Sequence, residues 1–266
     1  MIRLARGARA LMQRFRYSGP TVDGVRPVRA AAMSAVGLAS MAAMFGMVTS
    51  NALAVNFTTT DHVFQVYSNY IQGVSAGGFV AQNKGFSAAG QTGVAEIGIE
   101  TAQLNGLCAI AHETLPGLGA VSLIIKAGAH VWGSFPAASG TSPTFLDGDS
   151  QPIPIVNGVM TSDAATINAT DLFLNTDNLS GYGNRISGLN LGQNAPDTKQ
   201  ALSNATWPVG QNPPVDGNFG LTADHLNLGY LNGNTYGINL AGSINLPGLV
   251  IKVVPGSVGQ TACPAS

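Results

Sequence analysis

The sequence predicts an all-β fold: a single-domain sandwich or open barrel of recurring strand–bend–strand units, with an irregular β-helix as the runner-up. Three observations lead there. Beyond residue 55, short stretches such as 63–67, 95–99 and 172–174 alternate apolar with polar side chains and are broken by Gly, Asn, Asp and Pro; period two marks strands. No window there sustains the i, i+3, i+4, i+7 stripe of a long helix. One phrase also recurs, apolar-x-apolar-x-(Ser/Thr)-x-x-apolar-x-Gly, as FQVYSNYIQG (64–73), IGIETAQLNG (97–106) and LFLNTDNLSG (172–181), with a degenerate copy at 219–233. Its spacing is irregular, so it is no regular solenoid.

Composition narrows the function. Only 9% of the 266 residues are charged, against roughly 25% in an ordinary soluble domain. Basic and acidic residues number 12 and 13, so no basic surface offers itself to nucleic acid. A 45% hydrophobic content excludes disorder.

Residues 1–54 read as a secretory signal peptide. Seven Arg precede residue 30, an apolar run fills 30–48, and Ala52-Leu53-Ala54 supplies an A-x-A cleavage site. The run holds 19 residues, which keeps an uncleaved membrane anchor open as the alternative. The expected mature chain, 55–266, has five basic and 12 acidic side chains, a net charge of −7. That sign disfavours DNA or anionic lipid as a charge-matched partner.

Within 55–266, the runs at 121–125 and 249–254 are continuously apolar and are expected to be strands buried on both faces. Residues 107–115 are the best candidate for a short helix, ended by Pro116-Gly117. Two Gly- and Pro-rich stretches, 133–158 and 192–217, read as long loops. Cys108 and Cys263 are the two cysteines. In an oxidising compartment they read as a disulfide tying the C-terminal tail to the body, with free buried thiols as the alternative.

The junction 52–57 (ALAVNF), FQVYSNYIQG, the phrase IETAQLNGLC, LPGLGAVSLIIKAG (115–128) and the terminal Cys263 occur in that order. In this the chain resembles an uncharacterised family of actinobacterial secreted proteins that often carry the label "cholesterol esterase". The resemblance implies export, an all-β body, a two-cysteine bridge and, as far as the label reaches, ester hydrolysis. Residues 129–160 look like an insertion relative to that family.

Candidate chemistry is sparse. Gly73-Val74-Ser75-Ala76-Gly77 satisfies G-x-S-x-G, where a strained strand-to-helix turn would raise a Ser nucleophile. No helix pattern follows it, so a glycine-rich turn is the competing reading. A triad would run Ser75…Asp…His225, with Asp171 or Asp177 between. Alternation, however, puts Asp224 and His225 on opposite faces. Gly148-Asp149-Ser150 lacks the downstream D-x-x-H of the other esterase class. The four His (62, 112, 130, 225) have no metal-binding spacing, and Asp147-Gly148-Asp149 is turn chemistry before it is a calcium loop. Neither a metal nor a cofactor is expected. The reading that results is an exported cell-envelope or extracellular β protein, non-catalytic. It would bind a lipid or sterol-like ligand, join envelope components or self-associate. A sterol- or lipid-ester hydrolase using Ser75 is the alternative.

Overall fold

The computed structural model describes residues 56–58, 63–82, 93–115, 119–135, 144–156, 159–161, 165–201, 214–240 and 242–264. Residues 1–54, expected from the sequence to be a signal peptide cut at Ala52-Leu53-Ala54, lie outside them. The strands are β1 (Asn56–Thr58), β2 (Phe64–Gln82), β3 (Gly93–Asn105), β4 (Leu107–Leu115), β5 (Gly119–Ala127) and β6 (Ile155–Val156). They continue with β7 (Val159–Met160), β8 (Thr166–Ser187), β9 (Asn190–Asn194), β10 (Phe219–Leu240), β11 (Ile244–Asn245) and β12 (Val250–Pro255). Two short 3-10 helices, Ala195–Ala201 and Gln260–Ala262, complete the described elements.

Ten strands form one sheet in the order β1-β10-β8-β3-β2-β4-β5-β12, with β11 beside β8 and β9 beside β10; β6 and β7 pair separately. Every pairing is antiparallel, which is foreign to a parallel β-helix. β10 pairs with β8 and also with β2, so the sheet coils back on itself. The ten-stranded sheet as a whole is not a closed barrel: among the described residues its order ends at β1 and β12. The all-β expectation is met.

The long strands β2, β8 and β10, of 19, 22 and 22 residues, far exceed the usual five or six. They achieve this by bending. Ser75, Asp171 and Tyr230 have φ of 54°, 53° and 51° in mid-strand, a left-handed backbone that non-glycine residues rarely adopt. Each of the three lies in or beside a copy of the recurring phrase, at a different position in each. Ser75 follows the phrase at 64–73, Asp171 precedes the one at 172–181, and Tyr230 lies in the degenerate copy.

The largest core cluster joins Ile71, Ile99, Leu104, Ile167, Leu172 and Leu231 from β2, β3, β8 and β10. A second, smaller core gathers Tyr67, Ile110, Ile124 and Val131 around the disulfide. Cys108 and Cys263 are bridged, with Cα atoms 5.8 Å apart. The tail is therefore fastened across β4 and β5. The segment after β5 is pinned onto the sheet by aromatic side chains, with Phe145 and Phe135 against Tyr230 and Phe145 against Tyr70. Trp132 Nε1 donates to the Leu146 carbonyl.

Three sequence expectations are corrected. Residues 107–115 are strand β4, paired with β2 and β5. Its Cys108, Ala109 and Ile110 are all buried, and a short apolar run buried on both sides carries no period that separates helix from strand. The run at 249–254 is not buried on both faces. β12 is the terminal strand, and its Val250, Ile251 and Val253 are exposed. Within 192–217, residues up to Asn194 belong to β9, and the 3-10 helix follows.

Candidate functional site

The GVSAGG motif lies inside β2, flanked by β3 and β10. Its glycines answer to packing. A Cβ on Gly77 would come within 2.8 Å of the Thr198 carbonyl oxygen, and one on Gly73 within 3.0 Å of the Ile99 side chain. The 3-10 helix thus rests directly on the strand two residues beyond Ser75. Thr198 is itself fully buried and caps the turn by donating to the Ala195 carbonyl.

Register fixes the surroundings of Ser75. Val74 pairs with His225 and Ala76 with Ala223, so Ser75 faces Asp224 on β10. On its other side Val74 pairs with Thr101 and Ala76 with Ile99, so Ser75 faces Glu100 of β3. Glu100 in turn faces Asp171 of β8. One row therefore runs Asp224–Ser75–Glu100–Asp171 across four strands, three carboxylates and a hydroxyl. His225 stands one position off the row, opposite Val74. Among the described residues no hydrogen bond joins the Ser75 hydroxyl to an imidazole. Burial, and then the Glu100 charge, raises the Asp171 pKa. The row does not reach metal geometry: among the described residues no group of three His, Cys, Asp or Glu could hold an ion.

The other expected residues take structural places. Asp177 accepts from the Tyr236 hydroxyl at 2.9 Å. His130 Nδ1 lies 2.8 Å from Asp149 Oδ1. Asp147 Oδ1 accepts from the Asp149 and Gln151 amides, and Ser150 follows with φ 62°, so Asp147–Ser150 is a side-chain-closed turn. His112 Nδ1 meets Ser122 Oγ at 2.9 Å, a contact the sequence did not suggest. Ser122 is fully buried, donates to the Gly256 carbonyl and accepts from the Val258 amide. That leaves its hydroxyl acceptor-only toward His112, a latch for the tail rather than a nucleophile. His62 lies outside the described residues.

Among the described residues no assembled catalytic set emerges, and family membership offers no reaction. The family of unknown function DUF6230 matches residues 60–264. The chain belongs to that family. The match takes in the whole region from the first phrase to the bridged Cys263, and with it both left-handed residues of the carboxylate row. No curated protein and no solved structure matches the chain.

A second feature escaped the sequence reading. Large apolar side chains are exposed where β2 and β8 end, β9 runs and β10 begins: Ile186, Leu189, Leu191, Phe219 and Val80. Leu191 pairs with Leu221 and Gly220 with both Phe79 and Gln193, which brings these strands to one end of the sheet. Leu191, at 60% exposure, is the outermost. Periodicity could not reveal this, because all but Leu189, in the β8–β9 connection, sit in ordinary strand patterns and only the sheet's topology leaves them uncovered.

Proposed function

We propose that this protein is an exported, non-catalytic β protein that engages an apolar partner, a lipid-like ligand or a second copy of itself, through the apolar end of its sheet. The observation that carries the reading is the concentration of exposed Ile186, Leu189, Leu191 and Phe219 at one place in a chain with few charges. Large apolar side chains left exposed together at one end of a sheet mark interaction sites. The negative charge of residues 55–266 favours a neutral apolar partner over an anionic membrane. Export is supported by the disulfide and by the n-region, apolar run and A-x-A order of residues 1–54. No helix among the described residues is long and apolar enough to cross a membrane.

The experiment is flotation with neutral phosphatidylcholine vesicles alongside sedimentation velocity, for wild type and Leu191→Glu. Wild type should float or self-associate, and the variant should do neither. A wild type that stays monomeric and unbound overturns the reading.

The second reading is a sterol- or lipid-ester hydrolase, the activity implied by the resemblance to actinobacterial proteins labelled cholesterol esterase. The left-handed Ser75 favours it. Against it, the same backbone recurs at Asp171 and Tyr230, outside any G-x-S-x-G motif, so bending the strand accounts for the conformation.

A further inference from the structure

Away from the Ser75 row, a cavity of about 180 Å³ opens beside the disulfide. Lys126 of β5, Lys252 of β12, Leu107, Val131, Val250 and Cys263 are among its walls. Lys126 pairs with Val250 and Ile124 with Lys252, so the two lysines are diagonal neighbours on one face, within reach for long side chains. Residues 55–266 hold only five basic side chains, and two of them meet here. Among the described residues neither ammonium forms an ion pair. Lys126 Nζ spends one proton on the Pro264 carbonyl at 3.0 Å. His130, also on the wall, is engaged by Asp149, and among the described residues no carboxylate lines the cavity.

Like charges set side by side on a sheet repel, and partial burial adds to the cost of keeping Lys126 charged. Both effects register at Lys126, whose pKa is lowered by desolvation first and by the Lys252 charge second. An anion between the two ammoniums would relieve both.

We infer that the cavity bounded by Lys126, Lys252 and the Cys108–Cys263 bridge is a binding site for a small anion, a carboxylate or phosphate, either free or as the head of a short apolar chain. The charged pair supplies charge-assisted hydrogen bonds. Leu107, Val131 and Val250 supply apolar wall for whatever carries the anion. The site is independent of the apolar end proposed above, at the opposite part of the strand order.

Calorimetric titration of the full disulfide-bonded chain with inorganic phosphate, sodium octanoate and neutral octyl glucoside tests this. At least one anion should bind saturably, more weakly as salt rises, while octyl glucoside does not. Octanoate binding tenfold or more above phosphate identifies an anionic amphiphile, and equal or stronger phosphate binding a free anion. Lys126→Gln also removes the bond to Pro264, so the deciding variant is Lys252→Gln, whose ammonium holds no part of the fold. It should bind about tenfold more weakly, the loss of one charge-assisted contact, and Lys252→Arg should restore binding. Absence of saturable binding of either anion, or binding unchanged in Lys252→Gln, overturns the inference.

Discussion

Ser75 and Asp171 lie in one row of the sheet with Glu100 between them, and both hold a left-handed backbone, at φ 54° and 53°. The row is where β2 and β8 bend. A side chain in this conformation carries strain of order 1 kcal/mol or more, which the flanking ladders on both sides of each strand hold in place. Bending lets strands of about twenty residues coil far enough for β10 to reach β2.

The carboxylate at Asp171 should make the protein pH-sensitive in a definite direction. Its folded pKa is raised, by burial first and Glu100 second. The folded state therefore holds the proton more tightly than the unfolded chain does. Stability from this group is greatest below the ordinary carboxylate value, and it is lost as pH rises through the raised folded value. Asn tolerates left-handed backbone, so Asp171→Asn should be more stable than wild type at neutral pH. Urea midpoints between about pH 3 and pH 8 check this. The difference between the two proteins should shrink toward the acid end.

The bridge should carry a large share of the tail's stability. Cys108 and Cys263 are 155 residues apart, and closing so long a loop restricts the unfolded chain strongly. Replacing both with Ser should cost about 2–5 kcal/mol. Chemical denaturation of the double variant against the oxidised wild type measures it.

Gly106, at the end of the second phrase, separates two costs that usually come together. Its φ is +74°, and an added Cβ would run into the Ala129 carbonyl oxygen and the Val131 side chain. Gly119 has φ +79° and open space around it. Gly119→Ala should cost about 1–2 kcal/mol for backbone strain alone. Gly106→Ala should cost clearly more, since a backbone oxygen cannot move aside as a flexible side chain can. Thermal melts of the two variants give the comparison.

The sequence exposed the fold class because strands announce themselves locally. Alternation and the recurring phrase located β2, β3, β8 and β10, and compartment chemistry paired the cysteines. What remained hidden depends on partners far along the chain. β4 looked helical because Cys108, Ala109 and Ile110 are buried on both faces. The 249–254 run looked like a core strand, and only the strand order shows it at an edge with Val253 bare. The G-x-S-x-G match drew attention to Ser75. The reason for its glycines, however, lies at Ile99 and Thr198, 26 and 121 residues away from Gly73 and Gly77 in no local pattern. His225 fell beside Val74 rather than Ser75 because register is counted along both strands at once. Lys126 and Lys252 carry no motif, and only the β5–β12 pairing brings them together.

The central claim is that Ser75 bends a strand and does not attack an ester. The most direct measurement is hydrolysis of a short-chain ester by the oxidised wild type and by Ser75→Gly, with the stability of both determined in the same preparation. Glycine accepts the left-handed backbone without strain, so the variant should stay folded, with stability within about 1 kcal/mol of wild type. Any turnover should change less than about tenfold, or ~1.4 kcal/mol of barrier. A folded, disulfide-bonded Ser75→Gly whose turnover falls toward the ~10⁶-fold loss seen when a triad member is deleted would contradict the account and make the protein an esterase.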